Sequence, residues 1–331
     1  MKIIYLLLSI TPSIIHVNIR RILGAKIGKK SKIKLGTIIF SKDIIIGKNV
    51  SIGPFSYINS KQLTIGDYST IKSLSVISAR EINLGKYVHI SPLSIISGDH
   101  TANSYFKVGN HSRIFPFCWL ETGEGIELGN HVGVGGHTLI FTHGVWPDFL
   151  KGGPVTYGPV KIKDNVWLPW RVFIMPNVEI GMNAIIGANS TVTNSIPANV
   201  IAAGTPAKII KENALKKLTK DEKLLRAQKI LDKYASHVNF KFNIHSTFEK
   251  NTLKLNKSLI NIDTWDTLKK GDLVLLINKT ISKSEQEHLI SKEISFINHI
   301  DNKVKLLTKN KKITEFIPFL RRYGIRLDII K

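Results

Sequence analysis

Aliphatic residues recur at every sixth position along much of the chain. The clearest triplets are Ile46-Ile52-Ile58, Ile65-Ile71-Ile77, Leu84-Ile90-Ile96, Val108-Ile114-Leu120, Leu128-Val134-Ile140, Ile162-Leu168-Ile174 and Ile180-Ile186-Val192, with a weaker set at Ile27, Ile33 and Ile39. A period of six fits neither an amphipathic helix, at 3.6, nor a strand with one buried face, at 2. It fits a coil with three short sides, each placing one aliphatic residue inside and ending in a tight turn. Gly, Asn and Asp follow many of these aliphatic residues, and Gly and Asn take positive φ at low cost. Stacked coils put each aliphatic residue on its counterpart in the next coil, so the core is a continuous column. The pattern therefore predicts a parallel β-helix of about eight coils over residues 27–212.

Coil starts at Ile27, Ile46, Ile65 and Leu84 lie 19 residues apart, and the later gaps are 24, 20, 34 and 18. All the extra residues fall between the third side of one coil and the first side of the next, so insertions leave from a single corner. The two long ones are residues 97–107 and 141–161. Insertions gathered on one face of a solenoid often form its binding face.

Outside the repeat the pattern changes. Residues 1–26, beginning MKIIYLLLSITPSIIHVNIRR, read as a short apolar or amphipathic segment. It has no small-residue cleavage site, and Pro12, His16 and Asn18 break the apolar run, so neither export nor a membrane span is expected. Capping the open end of the column and lying at a membrane surface both remain. Residues 213–235 read as a basic amphipathic helix. Apolar runs at 273–277 and 294–297, with helical patterns near 284–292 and 314–323, suggest a small α/β appendage completing residues 213–331. No motif assigns that part a role.

Lys and Arg number 47 against 24 Asp and Glu in 331 residues, a formal charge of +23. The excess is +11 over residues 1–210 and +12 over the remainder, so it is not a basic tail. Such a balance suits nucleic acid, anionic headgroups or a phosphate-rich ligand, and equally a Lys-rich solvated surface. The single cysteine, Cys118, excludes an intrachain disulfide and a cysteine-based zinc site, and its apolar surroundings point to packing. His131, His137 and His143 are six apart and fall on different sides of the coil, so no metal site is expected from them. His111 and His131, each three residues after a coil start, are expected to stack.

The hexads IGKNVSIGPFSYI and LGNHVGVGGHTLI, with FTHG around His143, DNVWLPWRVFIMPNVEIG and GANSTVTNSIPANVIAAGTPAKII, resemble the hexapeptide-repeat acyltransferases. The closest pattern is that of maltose/galactoside acetyltransferases and bacterial surface-polysaccharide O-acetyltransferases, over residues 20–212. The resemblance implies a left-handed helix, an exception to the right-handed rule for parallel connections. It also implies a homotrimer with sites between subunits, and acetyl-CoA as co-substrate. No metal is expected, and the lone cysteine and the N-terminal segment fit a cytoplasmic location with the inner face of the membrane as an option. A sugar or glycan is the implied acceptor, through oxygen or through the nitrogen of a nucleotide-linked amino sugar, and no nucleic acid is expected. A metal-dependent or non-catalytic helix is the remaining class.

By that resemblance His143 is the base. One imidazole can take the acceptor's proton and return it to the leaving thiolate, because its pKa lies near neutrality. A base needs an orienting group. Glu121, one coil earlier at the same corner, is preferred to Asp148 in the loop, with a backbone carbonyl as the remaining option. Trp146, Asp148, Phe149 and Tyr157 are candidate acceptor contacts, the aromatic rings suiting a sugar face. The family's coenzyme A contacts carry over to Trp167, Ala188 and Lys208. Pro169 and Trp170 replace a Gly-Ser pair, and Arg171 or Lys211 replaces a lysine that falls at Asn194. The family's asparagine a coil before the histidine aligns with Phe117.

Overall fold

The structure, a computed structural model, describes residues 2–330 except 257, with the side chains of 2–5 left out. The chain forms two compact units, Met1–Lys216 and Lys217–Lys331.

In the first unit short strands pair in parallel at the register the hexads predict. Ile27 aligns with Ile46, Ile46 with Ile65, and Ile65 with Leu84 on one side; Ile33, Ile52, Ile71 and Ile90 align on the second. Ile39, Ile58, Ile77, Ile96, Leu120, Ile140, Ile174 and Val192 align on the third. These residues are almost fully buried and belong to one continuous apolar cluster. The architecture is a left-handed parallel β-helix of about eight coils. Where no insertion intervenes, the third side runs straight into the next first side, as in the nine-residue strands Ile38–Ile46 and Tyr57–Ile65.

The turns correct one sequence expectation. Positive φ falls not on the glycine after each aliphatic residue but two positions later. Asn49, Tyr68, Tyr87, His111, His131, Asn165, Asn183 and Asn199 all have φ of 55–62°. The glycines serve close approach between coils instead: a Cβ on Gly66 would lie 2.5 Å from the Gly85 backbone. Side chains other than Asn also take the left-handed turn, and four of them stack. The Tyr68, Tyr87, His111 and His131 rings lie 4.7–5.0 Å apart and within 8° of parallel. Cys118 is buried, its thiol pushed up to about 11 by desolvation, with its Sγ bonded to the Phe115 and Gly135 carbonyls.

Helices α1 (Lys2–Ser9) and α2 (Ser13–Ile22) pack on the first coils. Arg20, buried, donates from Nε to His16 Nε2 at 2.9 Å and from Nη2 to the Ile39 carbonyl at 2.8 Å. Burial, reinforced by the Arg20 charge, lowers the His16 pKa from 6.5 to about 4. His16 is therefore neutral in the folded chain, whereas the unfolded chain takes up a proton below pH 6.5. Its contribution is complete above pH 6.5 and is lost as the pH falls to about 4, by up to about 3 kcal/mol. Urea titrations between pH 7 and 4 are expected to show that loss in the parent and a flatter acid limb in His16→Gln.

In the second unit a seven-stranded mixed sheet carries α3 (Lys220–Phe242), α5 (Lys311–Thr314) and α6 (Phe316–Leu320) over one apolar cluster. A second cluster, which includes Leu289 of α4 (Lys283–Ser291), lies on the opposite sheet face. Strands Ser258–Ile262, Leu273–Leu276 and Ser295–Asn298 are parallel. Helix α3 starts later than the sequence pattern suggests, because the Thr219–Glu222 capping box fixes its first turn, and it continues to Phe242.

Candidate active site

The insertion corner brings two of the expected residues together. Leu120 pairs with Ile140, so Glu121 begins the turn directly beside the turn that holds Thr142 and His143. His143 Nδ1 lies 3.0 Å from Glu121 Oε2; the glutamate is buried and the histidine partly exposed. The carboxylate is held on every side. Oε1 accepts from the Gly123 amide at 2.6 Å, and Oε2 accepts from the Thr142 amide at 3.1 Å and from the Thr142 hydroxyl. Thr142 Oγ1 in turn accepts from the Glu124 amide at 3.0 Å. A carboxylate with this many donors is fixed in position. It faces His143 Nδ1, and a hydrogen bond there needs the proton on Nδ1, the tautomer whose free acceptor is Nε2.

His143 opens a two-stranded antiparallel ribbon, His143–Val145 with Val155–Tyr157, in which it pairs with Tyr157. The two rings lie 6.1 Å apart, 24° from parallel. At the tip, Trp146 is 95% exposed and Phe149 68%, so neither packs the loop down. Asp148 is occupied within the loop, capping the turn Phe149–Lys151 through Leu150 N at 3.0 Å and pairing with Lys151 at 3.7 Å. Glu121, not Asp148, therefore contacts the histidine.

Thr142 and Gly98 were not singled out in the sequence. Both follow from the register, which stacks Gly98, Thr122 and Thr142 in adjacent coils. A Cβ on Gly98 would collide with Glu121 Oε1 and sit 2.6 Å from the Gly123 amide.

The remaining expected residues lie elsewhere in the chain. Trp167 projects from the second side, over Gly133 and edge-on to Phe115 at 6.0 Å. Trp170 covers Gly136, and Arg171 occupies a left-handed turn between the second and third sides. Ala188 is exposed one coil later, beside that same turn. Lys208 is exposed on the closing hairpin opposite Ala203. Phe117 stacks on His137 at 5.0 Å. A single chain thus does not gather the Trp170–Arg171 turn and His143 at one corner. Among the described residues no cluster of His, Cys, Asp or Glu has metal-binding geometry.

Residues 159–194 match the family described as bacterial transferase hexapeptide (six repeats). The chain is similar to the hexapeptide-repeat acyltransferases. Its relatives include the galactoside O-acetyltransferase of Lactococcus lactis subsp. lactis (strain IL1403), 46% identical over 86 residues, which are 25% of this chain and 42% of that protein. The putative colanic acid biosynthesis acetyltransferase WcaF of Escherichia coli (strain K12) is 30% identical over 101 residues, 29% of this chain and 56% of that one. The structure of a maltose O-acetyltransferase from Clostridium difficile 630 is 30% identical, covering 41% of this chain and 70% of its own, with a TM-score of 0.35. The chain spans about half the length of the two curated relatives. For this hexapeptide-repeat chain, the residues beyond 212 lie outside the stretch that resembles the family, and among the described residues no helix is long and apolar enough to cross a membrane.

Proposed function

We propose that this chain transfers an acetyl group from acetyl-CoA to a sugar hydroxyl of a bacterial surface polysaccharide or its precursor. The observation that carries the reading is the His143 Nδ1–Glu121 contact, with its carboxylate saturated by donors, at the corner from which the aromatic loop leaves. In this reading the acceptor O–H gives its proton to His143 Nε2 as its oxygen attacks the thioester carbonyl. The Glu121 carboxylate faces the imidazolium that results. As the tetrahedral adduct collapses, the C–S bond breaks and the same imidazolium protonates the departing coenzyme A thiolate. Trp146, Phe149 and Tyr157 would line the acceptor side, and exposed Arg171 and Lys208 suit the phosphates of coenzyme A.

A homotrimer accords with two features. The outward residues of the third side are apolar from coil to coil, through Val76, Ile95, Trp119, Leu139 and Phe173. The coenzyme A candidates and His143 occupy different corners, which a neighbouring copy would bring together. A place at the inner face of the membrane is supported by the exposed Leu7, Ile10, Ile14 and Ile22 of the N-terminal segment.

An acceptor screen with acetyl-CoA, following thiol release and product mass, tests the reading. The expected result is a product 42 Da heavier with an alkali-labile ester on a sugar, the mass being that of one acetyl group replacing one hydrogen. An alkali-stable amide on an amino sugar would move the reading to N-acylation, and no transfer to any glycan would remove it.

A further inference from the structure

The second unit holds a cavity of about 400 Å³, within the range of small-molecule sites. Its inner wall is apolar: Ala227 and Ile230 of α3, Leu275 and Ile277 at the end of one parallel strand, and Ile325. The position is the one where open α/β sheets commonly bind ligands, beyond the carboxyl ends of parallel strands. Ile277 follows the strand Leu273–Leu276, and His299 follows Ser295–Asn298.

The charged side chains of the lining share one sign. Lys223, Arg226 and Lys229 recur at three-residue intervals along α3, all exposed, about 4.5 Å apart along the axis. No Asp or Glu is among the described lining residues. Burial lowers the His299 pKa, and the neighbouring Lys223 charge lowers it further. His299 is thus a neutral imidazole that can donate one hydrogen bond, and Tyr323 brings a hydroxyl.

We propose that this cavity binds a single amphiphilic phosphate ester, its apolar chain against Ile230, Leu275 and Ile277 and its phosphate between Lys223, Arg226 and Lys229. Three cations on one helix stripe suit a head with several charged oxygens, because each offers its donors to a different acceptor. An apolar wall under a rim of one charge sign has no use for a neutral apolar ligand or for a cationic one. This assignment is independent of the chemistry at His143.

Calorimetric titration of the full chain with dodecyl phosphate, below its micellar concentration, tests the proposal. The expected result is one saturable site per chain, weakened at least tenfold in R226E/K229E. Those two residues are exposed, so circular dichroism should show the variant folded. A227L, which narrows the apolar wall without altering charge, should weaken binding as well. Dodecyltrimethylammonium and inorganic phosphate are expected to give no saturable site. The proposal is overturned if R226E/K229E binds as the parent does, if the cationic amphiphile binds equally, or if the chain takes up only anionic vesicles and not the monomeric ester.

Discussion

His143→Ala is expected to lower acetyl transfer by about 10²- to 10⁴-fold, the range over which a positioned acid–base group contributes. The side chain is partly exposed and sits at the start of a ribbon, so its loss opens no core cavity and the unfolding midpoint should barely change. Glu121→Gln makes a sharper test. The native carboxylate accepts from the Gly123 amide, the Thr142 amide and the Thr142 hydroxyl, and it contacts His143 Nδ1. A glutamine keeps one accepting oxygen and turns an NH₂ group toward groups that are themselves donors. The imidazole then loses its fixed tautomer, so kcat should fall while KM for the acceptor stays near the parent value. Both enzymes would be assayed by thiol release at saturating acetyl-CoA. Undiminished transfer by His143→Ala would refute the assigned base.

Phe106→Ala should cost about 3–5 kcal/mol, the range for emptying a fully buried aromatic site. Phe106 is wholly buried and lies between Ile82 and Ile126 of the neighbouring coils, at the corner where the first side begins. Each coil touches only its neighbours, so a void there cannot be filled from a distance. Urea unfolding followed by circular dichroism measures the loss; a shift below 1 kcal/mol would mean that the coils close over the gap.

The hexads made the register of the first unit legible, because one aliphatic residue per side leaves no other way to stack Leu120 on Ile140 or Ile58 on Ile77. That register also carried Glu121 to His143. The reason for the glycines was not legible. Close approach of Gly66 to Gly85 and positive φ at Tyr68 both depend on the geometry of adjacent coils, and composition alone does not separate them. Thr142 escaped for a related cause. A threonine beside a histidine carries no signal until the buried carboxylate that it bonds has a known direction. In the second unit the strands were visible as apolar runs, but the cavity was not. Its wall and rim come from α3, two strand ends and residues 323–325, segments that only the folded sheet brings together.

The pairing of Leu120 with Ile140 has a consequence for how such a chain can change. Glu121 and His143 are 22 positions apart in sequence, yet the turns that carry them are one lattice spacing of the sheet apart, about 4.8 Å between adjacent coils. The ribbon beyond His143 hangs from this lattice without belonging to it. Its length and its aromatic tip can drift from one descendant to the next while the ruler that spaces carboxylate and imidazole keeps the same gauge.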